Sequence, residues 1–189
     1  MPRVKSFDKN EALNKAMILF WEKGYEATSL SDLTSFLGIS KSSFYDTFEG
    51  KRKLFENCLD LYMSMRLEAF EKVFTEEKDI KAALMKILTA ILDEMLSDEK
   101  RKGCLVANTS AELGGRDNFI RESLMGHHQA IHKKFSTYLK KLNWDYKIDR
   151  DSFIDLLMTF VMGMKQEVKF NHDRERFQNS ITHLLNILK

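Results

Sequence analysis

The chain has 189 residues, 43% hydrophobic and 31% charged, with a formal net charge of +2, which is the make-up of a folded chain of one large or two small domains. One proline and eight glycines favour an all-α fold, because strands and their turns use more of both. No apolar run nears the roughly twenty residues that span a bilayer, and residues 1–15 hold no apolar stretch of a secretory signal, so the expectation is a cytoplasmic protein with no membrane partner.

Residues 1–7 form a basic arm with Arg3 and Lys5. It has two readings: a disordered terminus, or an arm that orders against nucleic acid. A first helix is expected over residues 8–23, with Leu13, Met17, Phe20 and Trp21 as its apolar stripe and Gly24 as its stop.

Residues 28–51, TSLSDLTSFLGISKSSFYDTFEGK, organise the rest. Leu30, Leu33, Phe36 and Leu37 recur at helical spacing and predict a buried face. Thr28 or Ser29 can cap this helix, and Ser29 with Asp32 has capping-box spacing. Gly38 ends it by tolerating positive φ. Ile39 is the apolar plug of the turn. Ser40 caps a further helix over residues 41–48, with Phe44 and Phe48 facing inward. Helix, glycine-containing turn, helix is the helix-turn-helix plan. There the second helix enters the major groove and its first residues reach base edges. Here those residues are Lys41, Ser42 and Ser43, all polar. On spacing alone an ordinary helical hairpin with a solvated face fits equally well.

Gly24-Tyr25, Thr28, Leu33, Leu37-Gly38-Ile39-Ser40, Phe44-Tyr45, Phe48, Lys51 and Leu54 resemble the N-terminal signature of TetR-family transcriptional regulators. The likeness covers about the first third of the chain; beyond it only length and helical character match. Thr34 and Phe36 stand where the family more often has alanine, and Asp46 puts an acid on the recognition helix. The resemblance implies an N-terminal three-helix helix-turn-helix domain, residues 1–50, and a C-terminal helical ligand-binding and dimerisation domain, residues 51–189. It implies base contacts from Lys41, Ser42 and Ser43, and phosphate contacts from Thr28, Tyr45 and Lys51. The partners implied are a palindromic double-stranded operator, a second copy of the chain and a small-molecule effector. The charge distribution agrees: residues 1–55 hold nine cations against seven acids, and the remainder holds twenty-one of each. The surplus is small, so phosphate binding has to depend on placement.

Further helices are expected over residues 51–74, 79–96, 103–113, 117–142, 149–170 and 173–188. The fourth carries Leu54, Phe55, Cys58, Leu61, Tyr62 and Met65 on one face, and its N-terminus beside Lys51 favours a phosphate. The eighth, with Phe153, Leu156, Leu157, Phe160, Val161, Met164 and Val168, and the ninth, with Ile181, Leu184, Leu185, Ile187 and Leu188, read as apolar beyond one stripe. Such helices need partners on two sides, and a twin subunit is the expected second partner, with Gly163 permitting close approach. A deeply buried helix in a monomer is the alternative.

Cys104 follows Arg101 and Lys102 at a helix start, where cations and free N–H groups lower a thiol pKa. Residues 103–112 also resemble the electrophile- and oxidant-sensing NemR-like branch of the family, which makes Cys104 a candidate redox or electrophile sensor. A small apolar filler is the other reading. Cys58 lies on an apolar face and is expected to be inert; no disulfide is expected in a reducing compartment. His128 and His132 are four apart but lack a further ligand at compelling spacing, so no metal or other cofactor is expected. No nucleophile elbow, paired metal motif or phosphate-binding loop is present in the sequence, and no enzyme is indicated. The expected function is a DNA-binding regulator, a repressor released by a small hydrophobic ligand or by cysteine modification. The alternative is a ligand-independent DNA-binding factor or an activator, which predicts a solid second domain.

Overall fold

The computed structural model describes residues 7–141 and 144–188. Among the described residues are nine helices and no strand: α1 (Lys9–Lys23), α2 (Leu30–Leu37), α3 (Lys41–Phe48), α4 (Lys51–Glu76), α5 (Ile80–Ser97), α6 (Leu105–Leu113), α7 (Asn118–Lys140), α8 (Arg150–Glu167) and α9 (Arg174–Leu185). The expectation for Arg3 and Lys5 lies outside the described residues.

Short polar signals set the helix starts. Asp8, Ser29, Ser40, Asp79, Asp117, Asp149 and Asp173 each accept a first-turn N–H through the side chain, satisfying donors that the helix itself leaves free. Ser29 and Asp32 complete a reciprocal capping box. α4 and α6 start without a side-chain cap, at Gly50 and Cys104.

In the N-terminal layer, α1, α2 and α3 close over Ala16, Phe20, Leu33, Phe44 and Phe48, all buried. α1 also lies along α4, where the Phe20 and Phe55 rings meet edge to face at 5.0 Å, a favourable aromatic geometry. The core continues through α4 into α5–α9, where Leu84, Leu88, Leu92, Phe153, Leu157 and Ile181 are buried. α4 therefore belongs to both layers.

Several expected faces differ. Phe36 is 51% exposed and Met65 49%; each sits at the margin of its helical stripe, where a shift of a few tens of degrees turns a side chain outward. α9 is narrower in its apolar face than the sequence suggests. Ile181, Leu184, Leu185 and Leu188 are all buried within the chain, while Asn179, Thr182, His183 and Asn186 face out beside Ile187. On α8, Leu156 and Gly163 are exposed and Phe160 is half-buried. Among the described residues no helix is long and apolar enough to cross a membrane.

Candidate nucleic-acid interface and adjoining cavity

The turn between α2 and α3 is fixed by Gly38, in the left-handed region at φ 65°, whose N–H returns to the Ser35 carbonyl. Ser40 then caps α3. Its Oγ accepts from the Ser43 amide at 3.2 Å and lies 3.0 Å from the hydroxyls of Ser42 and Ser43. Lys41 and Ser42 are exposed and Ser43 is half-buried at the tip of α3. Tyr45, one turn on, is 52% exposed, with its ring braced edge to face on buried Phe44 at 5.8 Å. Glu49, at φ 63°, turns the chain sharply into α4.

α4 follows the far end of α3 after only Glu49 and Gly50. Gly50, at φ 141°, leaves the first N–H groups of α4 without a side-chain acceptor, so they and the positive end of the helix dipole are open to an anion. Lys51 Nζ sits 4.3 Å from the centre of the Tyr25 ring and 3.5 Å from the Glu26 carbonyl oxygen. It is held at the helix mouth by a cation–π contact rather than by a carboxylate.

Thr28 departs from its expected phosphate role. It is fully buried, and its hydroxyl donates to the Gly24 carbonyl oxygen at 2.6 Å. The side chain fastens the end of α1 to the start of α2 and offers nothing to the surface in this conformation. Ser29, not Thr28, caps α2.

A cavity of about 540 Å³ opens between α4, α5, α6, α7 and α8, within the range of small-molecule sites. Its walls are mostly aliphatic and aromatic, and Cys104 stands in them beside Tyr62 and Lys165. Cys104 is 1% exposed and is the residue before α6. Burial pushes its thiol pKa up. Lys165, the Tyr62 hydroxyl that donates to Sγ at 3.5 Å, and the nearby N–H groups of Ala107 and Val106 together outweigh that, and the pKa falls below the ordinary thiol value. Those two N–H groups act through their positive ends, since none reaches capping geometry. Burial, followed by the neighbouring thiol, pushes the Tyr62 phenol up. The cation is not the one expected: Lys102 pairs with Asp98 at 2.6 Å, and Lys165 from α8 takes the place next to the thiol. Cys58 is buried as well, and there desolvation alone acts, raising its pKa.

Two contacts reach from α6 and the residues just before it to the N-terminal layer, and no sequence pattern marks either. Trp21 Nε1 donates to the Gly103 carbonyl oxygen at 3.2 Å, while its ring meets Tyr62 edge to face at 5.0 Å. At the other end of α6, the Glu112 carboxylate accepts from the backbone N–H groups of Tyr25 at 3.0 Å and Glu26 at 2.7 Å. Gly24 makes room for it: a Cβ there would lie 3.1 Å from Glu112 Oε2, and its φ of 85° already disfavours a side chain. A third bridge joins Arg52, in the first turn of α4, to Asp117, the cap of α7, at 2.9 Å. No periodicity marks these pairs, because each partner lies far along the chain. His132 faces Asp155 at 3.6 Å, and among the described residues no group of three or more His, Cys, Asp or Glu side chains is placed to hold a metal.

Residues 12–58 match the family described as "Bacterial regulatory proteins, tetR family". The HTH-type transcriptional repressor ComR of Escherichia coli (strain K12) is 35% identical over 138 residues, 72% of this chain and 66% of ComR, so the match spans just under two thirds of that relative. A cysteine mutant of the TetR family transcriptional regulator CifR, complexed with 26-bp double-strand operator DNA, matches with a TM-score of 0.85 at 25% identity, over 97% of this chain and 98% of CifR. The chain belongs to the TetR family. The reduced form of E. coli NemR matches with a TM-score of 0.84 at 17% identity, over 94% of this chain and 95% of NemR, a likeness of fold alone. For a TetR-family chain, α1–α3 carry the matched signature, and the cavity lies wholly in the part beyond it.

Proposed function

We propose that this TetR-family chain is a cytoplasmic, sequence-specific repressor that binds a palindromic operator as a homodimer and leaves it when the cavity is filled or Cys104 is modified. The observation that carries the reading is a capped, polar α3 tip followed, at the far end of that short helix, by the uncapped start of α4. Lys41, Ser42 and Ser43 read bases, while Tyr45, Lys51 and the free N–H groups of α4 hold phosphates. Residues 1–50 are the DNA-reading domain, and residues 51–189 bind the effector and the second subunit. The strip of Leu156, Phe160 and Gly163 on α8, with Ile187 after α9, supplies the self-complementary face that a two-fold dimer needs. ComR, a repressor, and CifR, complexed with operator DNA, support the same reading. The cavity favours an effector-responsive protein over a ligand-independent one. An effector works here by binding the DNA-incompetent arrangement more tightly.

The test is fluorescence anisotropy on the DNA upstream of the gene at near-physiological salt, with and without N-ethylmaleimide. Selective binding that is lost on treatment, and kept in Cys104→Ser and Cys104→Ala, is the expected result. Absence of any sequence-selective binding, there or in a genome-wide selection, refutes the reading.

A further inference from the structure

Lys165 stands in the cavity wall with a charge that the protein does not neutralise with an acid. Among the described residues it forms no ion pair with a carboxylate, and no Asp or Glu lines the cavity. The other charged groups in the wall are also cationic. Arg66 is held by Glu94 through two short hydrogen bonds, of which the longer is 2.6 Å, and Arg121 by the Gly114 carbonyl oxygen at 3.0 Å. His127, beside Lys165, is kept neutral: burial first, then Lys165 and His128, pull its pKa down to about 4. The polar end of the cavity is thus made of Lys165, neutral His127, the Cys104 thiol and the Tyr62 hydroxyl. Apart from Arg66, Arg121, Ser110 and His128, the rest, including Leu84, Leu88, Phe135 and Leu157, is apolar.

A cation facing an apolar space gains from a counter-charge brought to it, because the low surrounding polarity strengthens the attraction and water cannot fully replace it. In the cavity wall the Cys104 thiol can supply that charge only on losing a proton, and the acids of the adjoining groove, Glu94 and Asp98, are already paired with Arg66 and Lys102. We infer that the cavity takes an amphipathic organic anion, an apolar body of roughly the length of a medium-chain acyl group ending in a carboxylate, with the carboxylate on Lys165. This rests on the cavity being the effector site, and it names the chemical class of the effector. Neutral ligands of the same shape leave Lys165 without a partner, and cationic ones meet Lys165, Arg66 and Arg121.

The experiment is isothermal titration calorimetry of the full chain with sodium decanoate, 1-decanol and decylammonium, with Lys165→Gln and Lys165→Arg as variants. Operator anisotropy is read on the same samples. Decanoate is expected to bind at least tenfold more tightly than either other probe. Lys165→Gln is expected to lose about ten- to a hundredfold of that affinity, the range of a hydrogen bond to a charged group. Lys165→Arg keeps it within a few-fold, which separates loss of charge from loss of fold. Decanol or decylammonium binding as well as decanoate, an undiminished Lys165→Gln, or no binding of any probe overturns the inference. Decanoate bound through Lys165 without operator release supports the anion site and refutes the effector role. Release that does not depend on Lys165 does the reverse.

Discussion

Replacing Glu112 with alanine tests how α6 speaks to the DNA-reading layer. Its carboxylate is the acceptor for two consecutive backbone N–H groups, at 3.0 and 2.7 Å, in the loop that joins α1 to α2. Hydrogen bonds to a charged acceptor contribute about 1.5–3 kcal/mol each where water is excluded. Here the carboxylate is half-exposed and Glu26 is exposed, so the lower end applies and the pair holds the loop by about 2–3 kcal/mol. That corresponds to a factor of about 30–150 in how firmly the loop follows α6. In Glu112→Ala the cavity still changes α6, but the change no longer reaches α1 and α2. The assay is the ratio of operator dissociation constants with and without N-ethylmaleimide, in wild type and variant. The ratio is expected to drop at least tenfold towards unity, with sequence-selective binding retained. Glu112→Gln falls between, because its amide N–H₂ opposes one of the two donors. Gly24→Ala, which crowds the carboxylate, is expected to resemble Glu112→Ala. A ratio unchanged within twofold, with only the melting temperature lowered, would show that the contact is structural and that the coupling runs elsewhere.

Lys51→Ala weakens binding to all DNA sequences alike and lowers the slope of log affinity against log salt by about 0.9, one phosphate's share; an unaltered slope removes Lys51 from the phosphate set. His127 titrates near 6.5 in an unfolded chain and near 4 in the folded one, so the unfolded chain binds more protons between those values. Its contribution to stability is complete above pH 6.5 and is lost as the pH falls towards 4. His127→Gln flattens that limb of the unfolding curve, by no more than about 2 kcal/mol given its partial exposure, and an identical acid limb in the variant sinks the argument. Limited N-ethylmaleimide should give a single adduct at Cys104, whose pKa is lowered, before any at Cys58, whose pKa is raised. Peptide mass mapping that finds both sites alkylated at equal rates contradicts the assignment.

Elements were legible in the sequence where the causes are local. Ser29 with Asp32, Gly38 and Ser40 act within four residues of themselves, and their helices start and stop close to where the residue types require. Stripes were less legible at their edges. Phe36 and Met65 share helical spacing with buried neighbours yet face solvent, because spacing fixes a face only to within the width of a side chain. α9 has no second apolar face of the kind its spacing suggests, because it packs on α5 and Leu184 and Leu188 turn inward with Ile181. Distant pairings left no trace at all. Arg101 and Lys102 precede Cys104 in the chain, whereas the cation beside the thiol, Lys165, arrives from another helix. Glu112 lay inside a stretch whose likeness to known regulators was evident, but its acceptor role depends on a loop near the start of the chain.

Among the nine helices of the described residues, α4 and α6 alone begin without a side-chain acceptor, and this bears on how the cysteine is to be studied. Serine is among the best N-cap residues, worth about 1 kcal/mol over a non-capping one. Cys104→Ser, the usual choice for a thiol-dead protein, therefore installs at residue 104 the kind of acceptor that Ser29 and Ser40 provide elsewhere in the fold. It removes the nucleophile and at the same time tightens the first turn of the helix whose movement is to be read. A serine variant that no longer responds has two explanations, lost chemistry and a stiffened lever. Cys104→Ala, which cannot cap, separates them.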